Sequence, residues 1–427
     1  MNQTTNNPLF DLVLRSTNMQ RNEFKAALAS FIFVFVLMTA YYLLRPMRDA
    51  MASDWTDAEV SWLWTLNFFI STAIVAIYGV IVSKVSFEKL VPGIYLFFAA
   101  SFLIFYLMVQ GSENAVLVDK SFYLWVSVFA LFHVSVFWSL MADTFNKDQA
   151  GRLFSVIAAG ASIGAIVGPA LSAILVQSIG LQGMMLLSAS MLLLPIPLIF
   201  YIGKLKHSDL GNTELESGLD AKKIGGNPFG GFKEFFTNPY LLGIGLFIIL
   251  YTGIGSFVYF EQKNLLVDYS RADRTTIYGI RDVITNTITF VFAFFLTGRI
   301  VTKVGMPTAL TLVPIIIVFG MLVLAFSPIL IVALGVWVTR SAGNYGLARP
   351  AREMLFTKVD RESRFKTKPV IDIVAYRGGD VIMAWLFTGL TQGLGLGLAA
   401  VALVGAGIAA LWGVVGYFLG KVYDTGE

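Results

Sequence analysis

A small set of charged residues falls inside stretches otherwise apolar enough to be dehydrated: Arg45, Arg48, Asp49, Arg281, Asp282, Arg340, Arg377 and Asp380. Their chemistry is that of anion recognition. A guanidinium presents a rigid fork that matches a carboxylate or a phosphate. Arginines outnumber aspartates in the set, and a cavity with net positive charge concentrates anions. Arg45 and Arg48 stand three apart and so share a helix face. The competing reading for them is an outer-interface cluster whose arginines reach out to lipid headgroups. Arg281 and Asp282 are adjacent, point in different directions and need not pair with each other. Arg377 and Asp380 are three apart and can satisfy each other in a bridge. Arg340 has no acidic residue on its own helix. It needs an anion from another helix or from a substrate. These eight positions are the candidate substrate ligands.

Other chemistries drop out early. The chain has no cysteine and only two histidines, His133 and His207. Disulfides, cysteine metal sites and histidine-rich metal clusters are excluded, and no metal or cofactor is expected. No catalytic constellation is present, so the chain is not read as an enzyme. There is no P-loop, so any transport is driven by a gradient or by exchange. His133 lies mid-span in ALFHVSVFW, either as a hydrogen-bonded packing residue or, like Asp380, as a proton site.

The elements that must position these residues are membrane helices. Hydrophobic residues make up 56% of the 427 and charged ones 14%, where a soluble domain carries roughly 25% charged. Mean hydropathy is +0.73. A soluble enzyme, a disordered chain and a disulfide scaffold are excluded, and long unbroken apolar runs exclude an outer-membrane barrel. A helical span needs about 20 apolar residues. That rule places spans near 24–52, 57–83, 90–110, 121–142, 152–178, 182–203, 239–263, 275–299, 306–326, 328–348, 369–392 and 396–420. The expected fold is an all-α polytopic membrane protein of twelve transmembrane helices. Of the 31 Lys and Arg, an N-in, C-in arrangement puts only Arg45, Arg48, Lys120, Lys263, Arg271 and Arg274 outside. Arg281, Arg340 and Arg377 lie within spans, and the rest lie inside. Both termini are therefore placed in the cytoplasm.

A Gly-, Asn- and Lys-rich stretch at 204–238 reads as a cytoplasmic linker. It separates six-helix bundles at 24–203 and 239–420, with a cytoplasmic segment at 1–23 and a tail at 421–427. Residues 8–20 form either a short surface helix or a tail. The bundles repeat each other weakly. Gly79-Val-Ile-Val-Ser-Lys84 after span 2 matches Gly298-Arg-Ile-Val-Thr-Lys303 after span 8. Asp148 and Arg152 after span 4 match Asp360 and Arg364 after span 10, each pair four apart and so able to form a gating salt bridge. Span 5 adds Gly160, Gly164 and Gly168, one face of small residues on which a neighbouring helix can pack closely, followed by Pro169, which permits a bend. Twelve helices, two pseudo-symmetric halves, a central linker and short basic inner loops match the major facilitator architecture. The substrate path is then expected near the midplane.

Several stretches resemble the ATP/ADP translocases of obligate intracellular bacteria and plastids, the non-mitochondrial nucleotide transporters. They are Tyr42-Leu-Leu-Arg45-Pro-Met-Arg48-Asp49; Phe137-Trp138 with Ala150-Gly-Arg152-Leu-Phe154 and Gly160-Ala-Ser-Ile-Gly164; and Lys366-Thr-Lys368-Pro-Val-Ile-Asp372 with Arg377-Gly-Gly. The resemblance implies a divergent bacterial relative that performs membrane antiport, with Arg48 where that family keeps a basic residue important for transport. The expected function is secondary active transport, by alternating access, of an organic anion such as a nucleotide or phosphorylated metabolite. The alternative is a proton-coupled exporter of amphipathic compounds. The expected partners are the small anionic substrate and the lipid bilayer, with no nucleic acid, in a monomer of the bacterial inner membrane.

Overall fold

The computed structural model describes residue 14 and residues 17–82, 87–111, 115–212, 230–295, 297–359, 363, 367–368 and 370–425. Most of the 8–20 segment, the middle of the linker, Lys84, Asp360 and Arg364 lie outside the described residues. Within them the chain is helical, because a segment in hydrocarbon must satisfy its backbone polar groups internally. Span 1 is Phe24–Met51, span 2 Asp57–Val82, span 3 Phe87–Gly111, span 4 Ala115–Thr144 and span 7 Pro239–Leu265. Phe69, Ile174, Phe319 and Ile331 each keep more than 60% of their surface open. In a bilayer that surface meets acyl chains.

Eight helical stretches among the described residues are long and apolar enough to cross a bilayer. The longest, Lys147–Ser208, has 62 residues. As one straight helix it would run about 90 Å, some three times the thickness of the hydrocarbon core. It breaks at Gly180, at φ 65° and ψ 178°, a left-handed conformation that glycine adopts without a Cβ penalty. The break yields spans 5 and 6. Gly305, at φ 77°, likewise marks the start of span 9, which ends at Phe326. Span 12 is Leu398–Thr425.

The remaining three spans are more polar or are interrupted. Span 8 is Arg271–Phe295. Span 10 is Leu330–Gly343, continued by a π-helical turn at Asn344–Ala348. Span 11 is Gly378–Thr388 between π-helical turns at Ile371–Arg377 and Gly389–Gly393. These three hold Arg281, Asp282, Arg340, Arg377 and Asp380. They complete the twelve-helix, two-half fold. The described part of the linker includes a short helix, Gly230–Thr237.

The chain forms two compact units. Unit 1 comprises Met1–Arg48, Ile70–Ala221 and Thr275–Ile280. Its core is aromatic, with Phe33 5.0 Å from Phe137 and Phe98 4.8 Å from Phe129 between ring centroids. The glycine face of span 5 meets span 1 directly. A Cβ on Gly160, Gly164 or Gly168 would stand 2.5–2.7 Å from the carbonyl oxygen of Phe31, Phe35 or Thr39. That is backbone-to-backbone packing, and it accounts for the spacing of four. Unit 2 comprises Asp49–Phe69, Lys222–Arg274 and Arg281–Glu427. Its core joins Phe257, Phe260 and Phe387, at 5.3 and 4.9 Å. Span 2 is fastened to span 11 by Ser61 and Thr388, 2.8 Å apart, and by the Trp385 indole donating to Thr65.

Candidate functional site

Span 10 carries Trp337 and Arg340 three residues apart, hence on one face. Arg340 is 6% exposed. Its guanidinium carbon lies 4.8 Å from the Tyr251 ring centroid and 5.1 Å from that of Trp337. Its Nη1 reaches the Tyr251 carbonyl oxygen at 3.5 Å, a long hydrogen bond. Its Nε has no hydrogen-bond partner among the described residues. Gly255 of span 7 makes room for this side chain, since a Cβ there would stand 2.8 Å from Nη1. Asp380 stands in the first turn of the span 11 helix, three residues after Arg377. No ion pair within 4.0 Å joins it to Arg377 or to Arg340. The self-satisfied Arg377–Asp380 bridge therefore does not form. Tyr376, beside Arg377, has its ring 6.1 Å from that of Tyr251.

Arg281 also lies over Trp337, 4.4 Å from its ring centroid. Its environment is the opposite of that around Arg340. Nη2 pairs with Asp49 at 3.1 Å and with Asp282 at 2.8 Å, and Nη1 donates to Gln262 at 2.9 Å. The side chain is fully buried. Arg281 and Asp282, which as neighbours need not pair, do pair. The long arginine folds back along its helix, so both Nε and Nη2 reach Asp282 Oδ1. Asp49, placed among the substrate ligands from sequence, is committed to this cluster and is 1% exposed.

More ion pairs tie residues 49–69 to spans 7 and 8 within unit 2. Lys263 donates to Asp57 at 2.7 Å and to Asn264 at 2.8 Å, and Thr391 donates to the other Asp57 oxygen at 2.8 Å. Asp54 accepts from Arg271 and from Arg274, the latter at 2.6 Å. The sequence places Lys263, Arg271 and Arg274 among the outer-side charges but does not point to their acidic partners. The partners come from segments some 200 residues apart, a separation that no local spacing rule bridges.

In unit 1, Tyr42, Arg45 and Arg48 fall on one half-open face of span 1. Arg45 lies over the Tyr42 ring at 5.5 Å, and Arg48 donates to Ser127 at 3.3 Å and lies over Tyr123 at 5.6 Å. His133 is buried against Tyr41, with ring centroids 4.2 Å apart. Its Nδ1 lies 3.2 Å from the Phe129 carbonyl oxygen, and its Nε2 has no hydrogen-bond partner among the described residues. Pro169 is buried in span 5, and its carbonyl oxygen lies 2.8 Å from where a Cβ on Gly279 would stand.

The inner-side pairing differs from the sequence reading. Arg152 does not turn back to Asp148; it pairs with Glu23, whose side chain is 1% exposed. Asp148 instead stands exposed in the first turn of a helix capped by Asn146, where the helix dipole favours a negative charge. Beyond span 10, Glu353 accepts from Arg352 at 2.8 Å and from Lys368 at 2.6 Å. Partial burial alone would push its carboxyl up. The hydrogen bonds from Lys368 and Arg352 outweigh that and hold it below the usual carboxylate range.

Trp337, Tyr251 and Gln262, which build the arginine sites, were not singled out from sequence. The spacing of Trp337 to Arg340 was the available signal. Among the described residues no group of three or more Asp, Glu, His or Cys is arranged to hold a metal.

The Major Facilitator Superfamily model matches residues 30–362. No curated protein sequence matches the chain. Among solved structures, the chain is similar to a bacterial homologue of the human lysosomal transporter Spinster, in its inward-facing and unoccupied conformation. The identity is 13%, the match covers 95% of this chain and 96% of that one, and the TM-score is 0.59. The inward-facing and occupied form of that homologue matches at 13% identity, over 95% and 97% of the two chains, with a TM-score of 0.57. At that identity the likeness is one of fold.

Proposed function

The chain belongs to the Major Facilitator Superfamily, and on that premise we propose that it is a secondary transporter of an organic anion, a nucleotide or another phosphorylated metabolite. The observation that carries this reading is the guanidinium of Arg340. It is buried, flanked by two aromatic rings and, among the described residues, without a carboxylate within ion-pair range. A buried arginine in a span needs an anionic partner, and a carboxylate or phosphate of the substrate would supply it bidentately. Arg377, on the span 11 side, is a further candidate ligand of this reading. Arg45 and Arg48 serve as ligands from span 1, in keeping with the likeness of that stretch to the nucleotide translocases. Exchange of one anion for another, in a monomer of the bacterial inner membrane, is the mode that the resemblance favours. No metal, cofactor or covalent chemistry enters this reading.

A ligand that binds the folded state raises its stability by RT ln(1 + [L]/Kd), about 2.7 kcal/mol at 100 Kd. Purified protein heated with ATP, ADP or inorganic phosphate should melt higher than with matched chloride, and the gain should vanish in Arg340→Ala. Stabilisation by cationic amphipaths and by none of the anions would favour the alternative, proton-coupled export of amphipathic compounds.

A further inference from the structure

Span 7 buries a carboxylate that none of these ion pairs uses. Glu261 is 0% exposed, and neither of its carboxylate oxygens has a hydrogen-bond partner among the described residues. Five other acids of unit 2, Asp49, Asp54, Asp57, Glu59 and Asp282, are all engaged. Asp57 holds Lys263, Asn264 and Thr391; Asp54 holds Arg271 and Arg274; Asp49 and Asp282 hold Arg281; Glu59 accepts from Thr56.

The groups that could neutralise Glu261 point elsewhere. Lys263 is two residues further on, roughly 200° around the helix at about 100° per residue, and its amine is taken by Asp57 and Asn264. Gln262 turns to Arg281 and to the Ala333 carbonyl of span 10. Arg340 of span 10 lies beside Gly255, about 9 Å further down the helix axis. Glu261 shares a face with Phe257, one turn before it, and that face meets span 11 at Phe387 and span 12 at Gly405. Residues 381–420 of those two spans contain no charged side chain. Asp57, the partner of Lys263 two residues further along span 7, has the same sign as Glu261.

An ionised carboxylate in this setting would be a dehydrated anion with no compensating partner and a like charge nearby. Burying the neutral acid costs far less. We propose that Glu261 is a proton-binding site, its carboxyl carrying one proton while this end of span 7 is closed. The proton comes from solution, and no other bond changes. The proposal deepens the transport reading, on which its consequence rests: it adds a proton site on span 7 to the anion exchange.

Infrared spectroscopy of the full chain in lipid at neutral pH reads this proton directly. The wild-type minus Glu261→Gln difference should show the carbonyl band of one carboxylic acid per chain, at the high-frequency end used by acids without hydrogen bonds. Glu261→Asp keeps an acid and should shift that band rather than delete it. A difference spectrum with carboxylate bands in place of the carbonyl band would overturn the assignment. If the glutamine variant fails to insert, the aspartate shift decides alone: a moved carbonyl band supports the site, and movement only in the carboxylate bands overturns it. The measurement needs no substrate. A chain that ignores nucleotides would sink the anion reading and leave the Glu261 result standing.

Discussion

Arg281 and Arg340 both lie within about 5 Å of the Trp337 ring centroid and are held in opposite ways. Arg281 is bound by Asp49, Asp282 and Gln262. Arg340 has aromatic faces and one long bond to a carbonyl. Removing one member of a buried, paired cluster leaves its partners as uncompensated charges, at a cost of about 3–5 kcal/mol. Arg281→Ala should therefore lower the melting temperature sharply and reduce the yield of folded protein, measured in detergent. Arg340→Ala gives up cation–π contact worth about 1–2 kcal/mol and should fold, yet lose transport. Arg340→Lys keeps the charge but not the planar fork, so KM for the anion should rise about tenfold or more. The isolation of Arg340 was legible in the sequence, because its helix holds no acid. The pairing of Arg281 was not, because Asp49 and Gln262 reach it from other spans. Arg152 pairing with Glu23 was hidden for the same reason.

Among elements, the glycine face of span 5 was legible both in spacing and in purpose, and the structure adds which helix it meets. A methyl on Gly164 would stand 2.5 Å from the Phe35 oxygen and 2.9 Å from Met38 Cβ. Overpacking of that kind costs about 1–3 kcal/mol. Gly164→Ala should lower the melting temperature, whereas Gly151→Ala, with nothing within 4 Å, should leave it unchanged or raise it. The short helix after span 10 makes a pH prediction through Glu353. Its carboxyl is held below the usual range, so its contribution is present above the unfolded-state pKa and is lost as pH falls through the lower folded-state value. The gap in melting temperature between wild type and Glu353→Gln should be present at neutral pH and close on acidification through that window. Span positions followed from apolar run length because lipid imposes that length on any helix. The π-helical turns at 344–348, 371–377 and 389–393 did not, since one extra residue in a turn is decided by packing and leaves no mark on hydropathy. Span 6 likewise extended beyond its expected end, because its helix continues past the apolar core through Lys204 and Lys206.

For the whole molecule, a carrier of this superfamily must present its site to the two sides in turn. The Asp57–Lys263 and Asp54–Arg271/Arg274 pairs, with the Ser61–Thr388 contact beside them, tie residues 49–69 to spans 7, 8 and 11. If they act as a gate, they part when that end opens. The chain has no cysteine, so a single Ser61→Cys reports alone. Adding Asp57→Asn should raise its labelling by a membrane-impermeant maleimide several-fold. Equal labelling in both backgrounds would remove these pairs from the gate. The central claim, transport of an anion through Arg340, is tested most directly by counterflow. Proteoliposomes preloaded with unlabelled ATP, ADP or inorganic phosphate are given the labelled anion outside, with wild type and Arg340→Ala side by side and empty vesicles as control. The account predicts preload-dependent uptake of at least one anion by wild type and none by the variant. Equal uptake by both proteins, or no preload-dependent uptake of any of the three by folded wild type, would contradict it.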